Sequence, residues 1–290
     1  MAGKIELPMA AQRQNPQDVR LAETLGRIKY KIFVMSGKGG VGKSSVAVNL
    51  AAALAALGLQ VGILDVDLHG PSVPRLLGLL NEKDAPIAQV SGGGDEVLIE
   101  PVQLESGLKV LSMDALLADR DRAVVWRGPK KVAAIRQFIS DTAWGELDFL
   151  IIDSPPGTSD EHLTILRMIP DALCLVVTTP QEIALADVRK AVNFLRLLKS
   201  PVLGLVENMG AFPCPHCGGK IDLFRPDGGL ELARKLELPF LASIPLDPAA
   251  ARAADQGLPA VMMPENGPAK SAFFALATSV KAICATKSLK

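Results

Sequence analysis

Short, uninterrupted apolar runs alternate along the chain with longer mixed segments, and this rhythm starts at about residue 20. The runs at 31–36, 60–65, 108–112, 149–153, 172–178, 202–208 and 241–244 predict strands of a parallel sheet covered on both faces. The segments 43–57, 129–140, 161–168, 182–198, 230–236 and 269–285 are the predicted helices. The expected fold is therefore α/β, a mostly parallel twisted sheet with helices on both faces. Two stretches break the rhythm. Residues 81–107 include Ser91-Gly92-Gly93-Gly94-Asp95 and predict a loop or small hairpin, while residues 211–229, dense in Pro, Gly and Cys, predict a lobe outside the core. Residues 1–20 read as a flexible tail and 21–290 as a single domain.

Composition narrows the function. Lys plus Arg number 31 and Asp plus Glu 31, so the chain offers no bulk positive field for nucleic acid. Aromatic residues, at 4%, are too sparse for a base-stacking platform. The longest apolar stretch, 50–59, is mostly alanine and well short of a membrane span. Neither nucleic acid nor membrane is expected as a partner. Four cysteines do not make a disulfide scaffold, which points to a reducing, cytoplasmic setting and to metal or redox chemistry for any special thiols.

The first strand runs into Gly37-Lys38-Gly39-Gly40-Val41-Gly42-Lys43-Ser44, followed by Ser45 and an alanine-rich helix. Glycines let the backbone turn tightly and aim several N–H groups at one anion. The helix N-terminus adds its positive dipole end, Lys43 reaches the β- and γ-phosphates, and Ser44 can hold Mg²⁺. The spacing predicts an ATP site of the phosphate-loop type, as in P-loop NTPases, against the alternative of an ordinary glycine-rich turn. Lys38 is a second lysine inside the loop, placed to serve its own nucleotide or that of a partner in a face-to-face dimer. The alternative is a solvated loop lysine.

Two further strands end in carboxylates. Asp153 closes 149–153 at the edge where such sheets bind ligands, and is expected beside the phosphate loop to accept from Mg²⁺-bound water. Ser154-Pro155-Pro156-Gly157-Thr158-Ser159-Asp160 follows as a stiff turn into a helix cap, with Gly157 placed to offer a backbone N–H to the γ-phosphate. Asp65 and Asp67 are two residues apart at the end of another strand. One can support Mg²⁺ while the other orients the attacking water, and Asp65 alone can equally cap a turn. His69 in the same loop is left unassigned.

Cys214-Pro215-His216-Cys217-Gly218-Gly219 places two thiols at i and i+3 around a tight turn, which directs both at one metal. Two thiolates do not complete a site of about four ligands, and a symmetric pair of chains would supply the other two. A zinc knuckle, a dithiol redox couple and incidental surface thiols remain open on spacing alone.

Taken together, these residues resemble the Mrp/ApbC family of P-loop ATPases, iron–sulfur cluster carriers of the deviant Walker A class. The likeness runs in order from about residue 27 to 260. It includes the stretch from Ile28 through Ser44, then Asp65-Val66-Asp67-Leu68-His69-Gly70-Pro71-Ser72 and Trp126-Arg127-Gly128-Pro129. It continues through Trp144-Gly145-Glu146-Leu147-Asp148, the turn 153–161, and Glu207-Asn208-Met209 leading to the cysteines. The resemblance implies a homodimer that sandwiches two nucleotides, with Lys38 reaching across it and Asp67 orienting water. It also implies a labile [4Fe-4S] cluster bridged by Cys214 and Cys217 of both chains, Asn208 contacting adenine, and apo iron–sulfur proteins as recipients. Residues 1–27 carry no cysteine, unlike eukaryotic cytosolic relatives with a second cluster there. The alternatives are a partitioning-type ATPase switch without metal and a zinc-bound, nucleotide-dependent scaffold.

Overall fold

The computed structural model describes residues 16–67, 70–79, 88–93, 96–113, 128–214 and 216–287. Of the expectations drawn from the sequence, tail residues 1–15, loop residues 81–87 and 94–95, His69, Trp126, Arg127 and Pro215 lie outside the described residues. The chain opens with α1 (Pro16–Gly26), β1 (Ile28–Ser36), α2 (Lys43–Ala56), β2 (Val61–Asp65) and α3 (Val73–Leu76). Next come β3 (Ala88–Gly93), β4 (Glu96–Gln103), β5 (Lys109–Ser112), α4 (Gly128–Ser140), β6 (Leu147–Asp153) and α5 (Asp160–Met168). Then follow β7 (Leu173–Thr178), α6 (Glu182–Leu197), β8 (Val202–Gly210), and the short β9 (Phe212–Pro213) and β10 (Lys220–Ile221). The last elements are α7 (Gly228–Lys235), β11 (Phe240–Pro245), α8 (Pro248–Asp255) and α9 (Pro268–Lys287).

Among the described residues nine strands form one sheet in the order β11-β8-β7-β1-β6-β2-β5-β4-β3. Every pairing from β11 to β5 is parallel, and β4 and β3 extend one edge antiparallel. The hairpin expected near residues 81–107 is thus part of the main sheet. Because side chains alternate along a strand, each central strand feeds two cores. Ile32 and Val34 of β1, with Phe149 and Ile151 of β6, join the layer under α2 and α9. Phe33, Met35, Leu150 and Ile152 join the layer under α4, α5 and α6. Each fully buried side chain of this kind contributes about 1.5–3 kcal/mol. That is why these runs are continuously apolar.

Register fixes where the chemistry falls. Val34 and Asp65 both pair with Asp153, so the strand-end carboxylates meet beside the loop that leaves β1. Residues 16–20 are a correction: expected as tail, they form the first turns of α1. Leu21 is buried in the second layer, and Thr24 Oγ1 donates to Ser140 O at 2.9 Å. The short helices α3 and α8, of 4 and 8 residues, were not predicted.

Candidate functional site

The loop after β1 is built by glycines at two kinds of position. Gly40 and Gly42 have φ of 79° and 77°, a region that side chains rarely adopt. Gly37 is needed for space, since a Cβ there would stand 2.4 Å from the backbone carbon of Asp187. Gly42 is also the N-cap of α2 and offers no side-chain cap, so the first N–H groups of that helix face outward as an anion site. Lys38, Gly39, Gly40, Val41, Gly42, Lys43, Ser44 and Ser45 line one side of a cleft of about 400 Å³. Asp67, Ser72, Arg75, Leu76 and Pro156 face them across it. Lys38 Nζ lies 3.5 Å from Gln181 Oε1, a weak tether that leaves it able to re-aim.

Lys43 is buried and its Nζ lies 2.5 Å from Asp153 Oδ1 and 3.3 Å from Ser44 Oγ. Burial raises the Asp153 carboxyl above the usual carboxylate range, and Lys43 and the Ser44 hydroxyl oppose that rise. Asp153 Oδ2 is buried and has no hydrogen-bond partner among the described residues. A hydroxyl and an unsatisfied carboxylate oxygen in one place fit Mg²⁺ and its bound water. Asp65 takes the turn-capping part, one of the two open to it in the sequence. Its Oδ1 accepts from Asp67 N (3.0 Å), and its Oδ2 accepts from Ser72 N (3.0 Å), Val73 N (3.1 Å) and Ser112 Oγ (3.4 Å). Burial, with Asp153 adding to it, pushes this carboxyl up to about 8, against the N–H groups of Asp67 and Val73. Asp65 therefore pins the loop and the start of α3, and Asp67 is the one that faces the cleft.

After Asp153 the chain turns through Gly157 (φ 81°) into α5. Pro156, rather than Gly157, lines the cleft, and its Cβ lies 3.7 Å from where a Gly39 Cβ would stand. The helix cap is Ser159, in a reciprocal capping box with His162 rather than with the usual Glu or Gln. His162 Nδ1 accepts from Ser159 N at 3.2 Å, and its ring meets Phe33 edge-on at 5.7 Å. Burial drives its pKa down to about 4; the Glu161 charge opposes this and Lys43 adds to it. His162 is fully buried, and its Nε2 has no partner among the described residues.

On the other side of the loop lies a second, mostly apolar cleft of about 140 Å³. Its walls include Ser45, Asn49, Asn208, Pro245, Leu246 and Asp247. Asn208 Nδ2 donates to Val41 O at 3.0 Å, which holds the end of β8 against the phosphate loop.

Cys214 and Cys217 sit in the turn of the β9–β10 hairpin, closed by Cys214 N to Gly219 O (2.8 Å) and Gly218 N to Cys214 O (2.9 Å). The N–H groups of His216 and Cys217, then the Cys217 thiol, lower the Cys214 pKa and favour its thiolate, as metal binding requires. Among the described residues no third His, Cys, Asp or Glu joins them. Cys174 and Cys284 are buried in opposite core layers, with burial pushing their pKa values up to about 12 and about 11. Sequence reasoning missed His162 and Arg75. A Ser159-x-x-His162 spacing was the available signal for the first, and none marks the second.

A parallel sheet whose central strand enters a glycine-rich loop, with a buried strand-end aspartate against the loop's lysine, defines a P-loop NTPase. The chain belongs to the NUBPL iron-transfer P-loop NTPase family, whose sequence profile matches residues 27–281. It is 47% identical to the iron-sulfur cluster carrier protein of Methanocaldococcus jannaschii, over 85% of this chain and 83% of that one. It is 48% identical to a cytosolic Fe-S cluster assembly factor of Saccharomyces cerevisiae, over 78% of this chain and 77% of that one. A solved nucleotide-binding protein from Archaeoglobus fulgidus, in complex with ADP and with cobalt found, is 42% identical with a TM-score of 0.71. That match covers 83% of this chain and 91% of the other.

Proposed function

We propose that the protein is an ATP-binding, slowly hydrolysing cytoplasmic carrier that holds a [4Fe-4S] cluster between two copies and passes it to apo iron–sulfur proteins. One observation carries this reading. A thiolate-favouring cysteine pair on a P-loop NTPase has, among the described residues, no third ligand, so a second chain is the natural source of the other two thiols. The carrier and assembly relatives point the same way, against a metal-free switch.

In this reading the loop N–H groups and Lys43 bind the ATP phosphates, and the cleft at Asn208, Pro245 and Leu246 takes the adenine. Ser44 and Asp153 would hold Mg²⁺, which supplies charge neutralisation at the phosphates. Asp67 orients a water toward the γ-phosphorus; the new P–O bond forms as the bond to the β-phosphate oxygen breaks, releasing ADP and phosphate. Lys38 swings from Gln181 to the partner chain's nucleotide and stabilises that charge. Gly157 brings its N–H to the γ-phosphate once the loops close.

Anaerobic reconstitution with iron and sulfide tests the reading. The expected product is one four-iron, four-sulfur cluster per two chains, lost in Cys214→Ser and in Cys217→Ser. Iron and sulfide retained by those variants would refute it, and zinc bound without sulfide would replace it with the zinc-scaffold alternative.

A further inference from the structure

The lobe that carries Cys214 and Cys217 joins the domain through two stalks, and both have uncommon backbone geometry. Met209 begins one with φ 58°, and Asp227 ends the other with φ 58°. Non-glycine residues enter this region only when their surroundings hold them there. Among the described residues the two other cases, Lys199 and Glu237, lie just past the C-caps of α6 and α7, where such a conformation is ordinary.

Glu207 ties the two stalks together. It is buried on β8, two residues before Met209, at 4% exposure. Its Oε2 accepts from Gly229 N at 2.7 Å, in the first turn of α7 beyond Asp227. Its Oε1 accepts from Ser243 Oγ at 2.9 Å, on β11. A Cβ on Gly229 would stand 2.8 Å from Oε2, so only glycine lets the helix come this close. Other links between lobe and domain are weaker. Arg225 pairs with Glu182 (3.0 Å) and Glu231 (2.6 Å) in the open, where ion pairs contribute little. A cleft of about 430 Å³, walled by Glu207, Lys220, Asp222 and Arg225 among others, lies under the lobe.

Asn208 is the next residue, and neighbouring side chains on a strand face opposite ways. Asn208 reaches the phosphate loop at Val41 O and lines the base-side cleft, while Glu207 reaches α7. Leu246, from the rim of that cleft, donates its N–H to Gly210 O in the first stalk at 3.1 Å. A ligand that moves Asn208 or the 245–247 loop therefore moves the strand end that Glu207 holds.

We propose that Glu207 is a positioning residue that couples nucleotide in the base-side cleft to the orientation of the Cys214–Cys217 hairpin. The proposal rests on the carrier reading for what the hairpin holds, and supplies the regulation of that site.

Thiol labelling of the full-length, metal-free chain reads the coupling, because Cys174 and Cys284 are buried and report nothing. MgATP is expected to change the wild-type labelling rate about fivefold or more, the low end of ordinary coupling between sites. Glu207→Ala is expected to bind ATP with unchanged affinity and to lose that change, its ratio falling to about one. Glu207→Gln restores the change, since its carbonyl can accept from Gly229 N–H while its amide donates to Ser243 Oγ. Gly229→Ala breaks the tie from the opposite side and matches Glu207→Ala. If Glu207→Ala does not fold, Ser243→Ala removes one donor and carries the same test with a smaller loss. A full nucleotide response in these tie-breaking variants overturns the proposal. So does a wild-type chain that binds ATP with no labelling response, and that result leaves the carrier reading, which stands on iron and sulfide content, intact.

Discussion

His162 makes stability depend on pH in a way that can be isolated. The buried ring stays neutral down to about pH 4, against 6.5 for a free histidine, chiefly because its burial penalises the charged form. As pH falls below 6.5 the unfolded chain takes up this proton and the folded chain does not. Protons therefore favour unfolding, and stability that is complete above 6.5 is lost progressively toward 4. At about 1.4 kcal/mol per pH unit the full effect is about 3 kcal/mol, and about 2 kcal/mol has gone by about pH 5. His162→Gln is the clean perturbation, because Gln at this position of a capping box keeps the bond to the helix cap and takes up no proton. The lost edge-on contact with Phe33 costs the same at any pH. Urea unfolding of both nucleotide-free chains at about pH 7.5 and about pH 5 gives the comparison, with all other titrating groups shared. The wild type should lose about 2 kcal/mol more than the variant on acidification. Parallel losses would refute a buried neutral histidine.

Three more outcomes follow from the site. Gly42→Ala puts a Cβ 2.2 Å from Asn208 Nδ2 at φ 77°, and calorimetric titration should show ATP affinity down by at least about tenfold in a folded chain; an unchanged Kd counts against the loop geometry. Lys43→Ala leaves Asp153 buried without its cation, so the nucleotide-free chain should lose about 3 kcal/mol in urea unfolding, and a more stable variant would contradict the pairing. Lys38→Ala loses, among the described residues, one weak contact within its own chain, so folding should be unaltered while phosphate release slows by at least about tenfold; wild-type turnover would remove the cross-dimer role.

What could be read from the sequence was local. The phosphate loop, its strand and α2 are contiguous, and the glycines at 40 and 42 signal their backbone angles directly. The cysteine pair is likewise a four-residue feature, and its place outside the core followed from the Pro and Gly around it. Partners distant in the chain could not be read. Asp65 could be read as a turn cap and Asp67 as the water-orienting residue, but the start of α3 and Ser112, which hold Asp65, come to it only in the fold. Asn208 was assigned by resemblance, but its hold on Val41 bridges residues far apart in the chain. His162 has only its spacing from Ser159 and Glu207 only its place in a resembling stretch; their significance is burial, which one sequence does not print. The helix α1 was missed because it opens within a polar stretch and buries a single residue, Leu21.

The helix behind the phosphate loop has a thermodynamic consequence. From Val46 to Ala55 every residue of α2 is buried, most of them alanine or valine packed between the sheet and α9. A helix enclosed in this way has no room to shift, so the anion-binding N–H groups are in place before any ligand arrives. Binding the triphosphate end then carries little ordering cost, and ATP and ADP meet nearly the same preformed cradle. Discrimination between them, and any signal sent onward, has to come from the parts outside this enclosed helix: Asp67, the Pro156 turn and the stalks of the cysteine lobe.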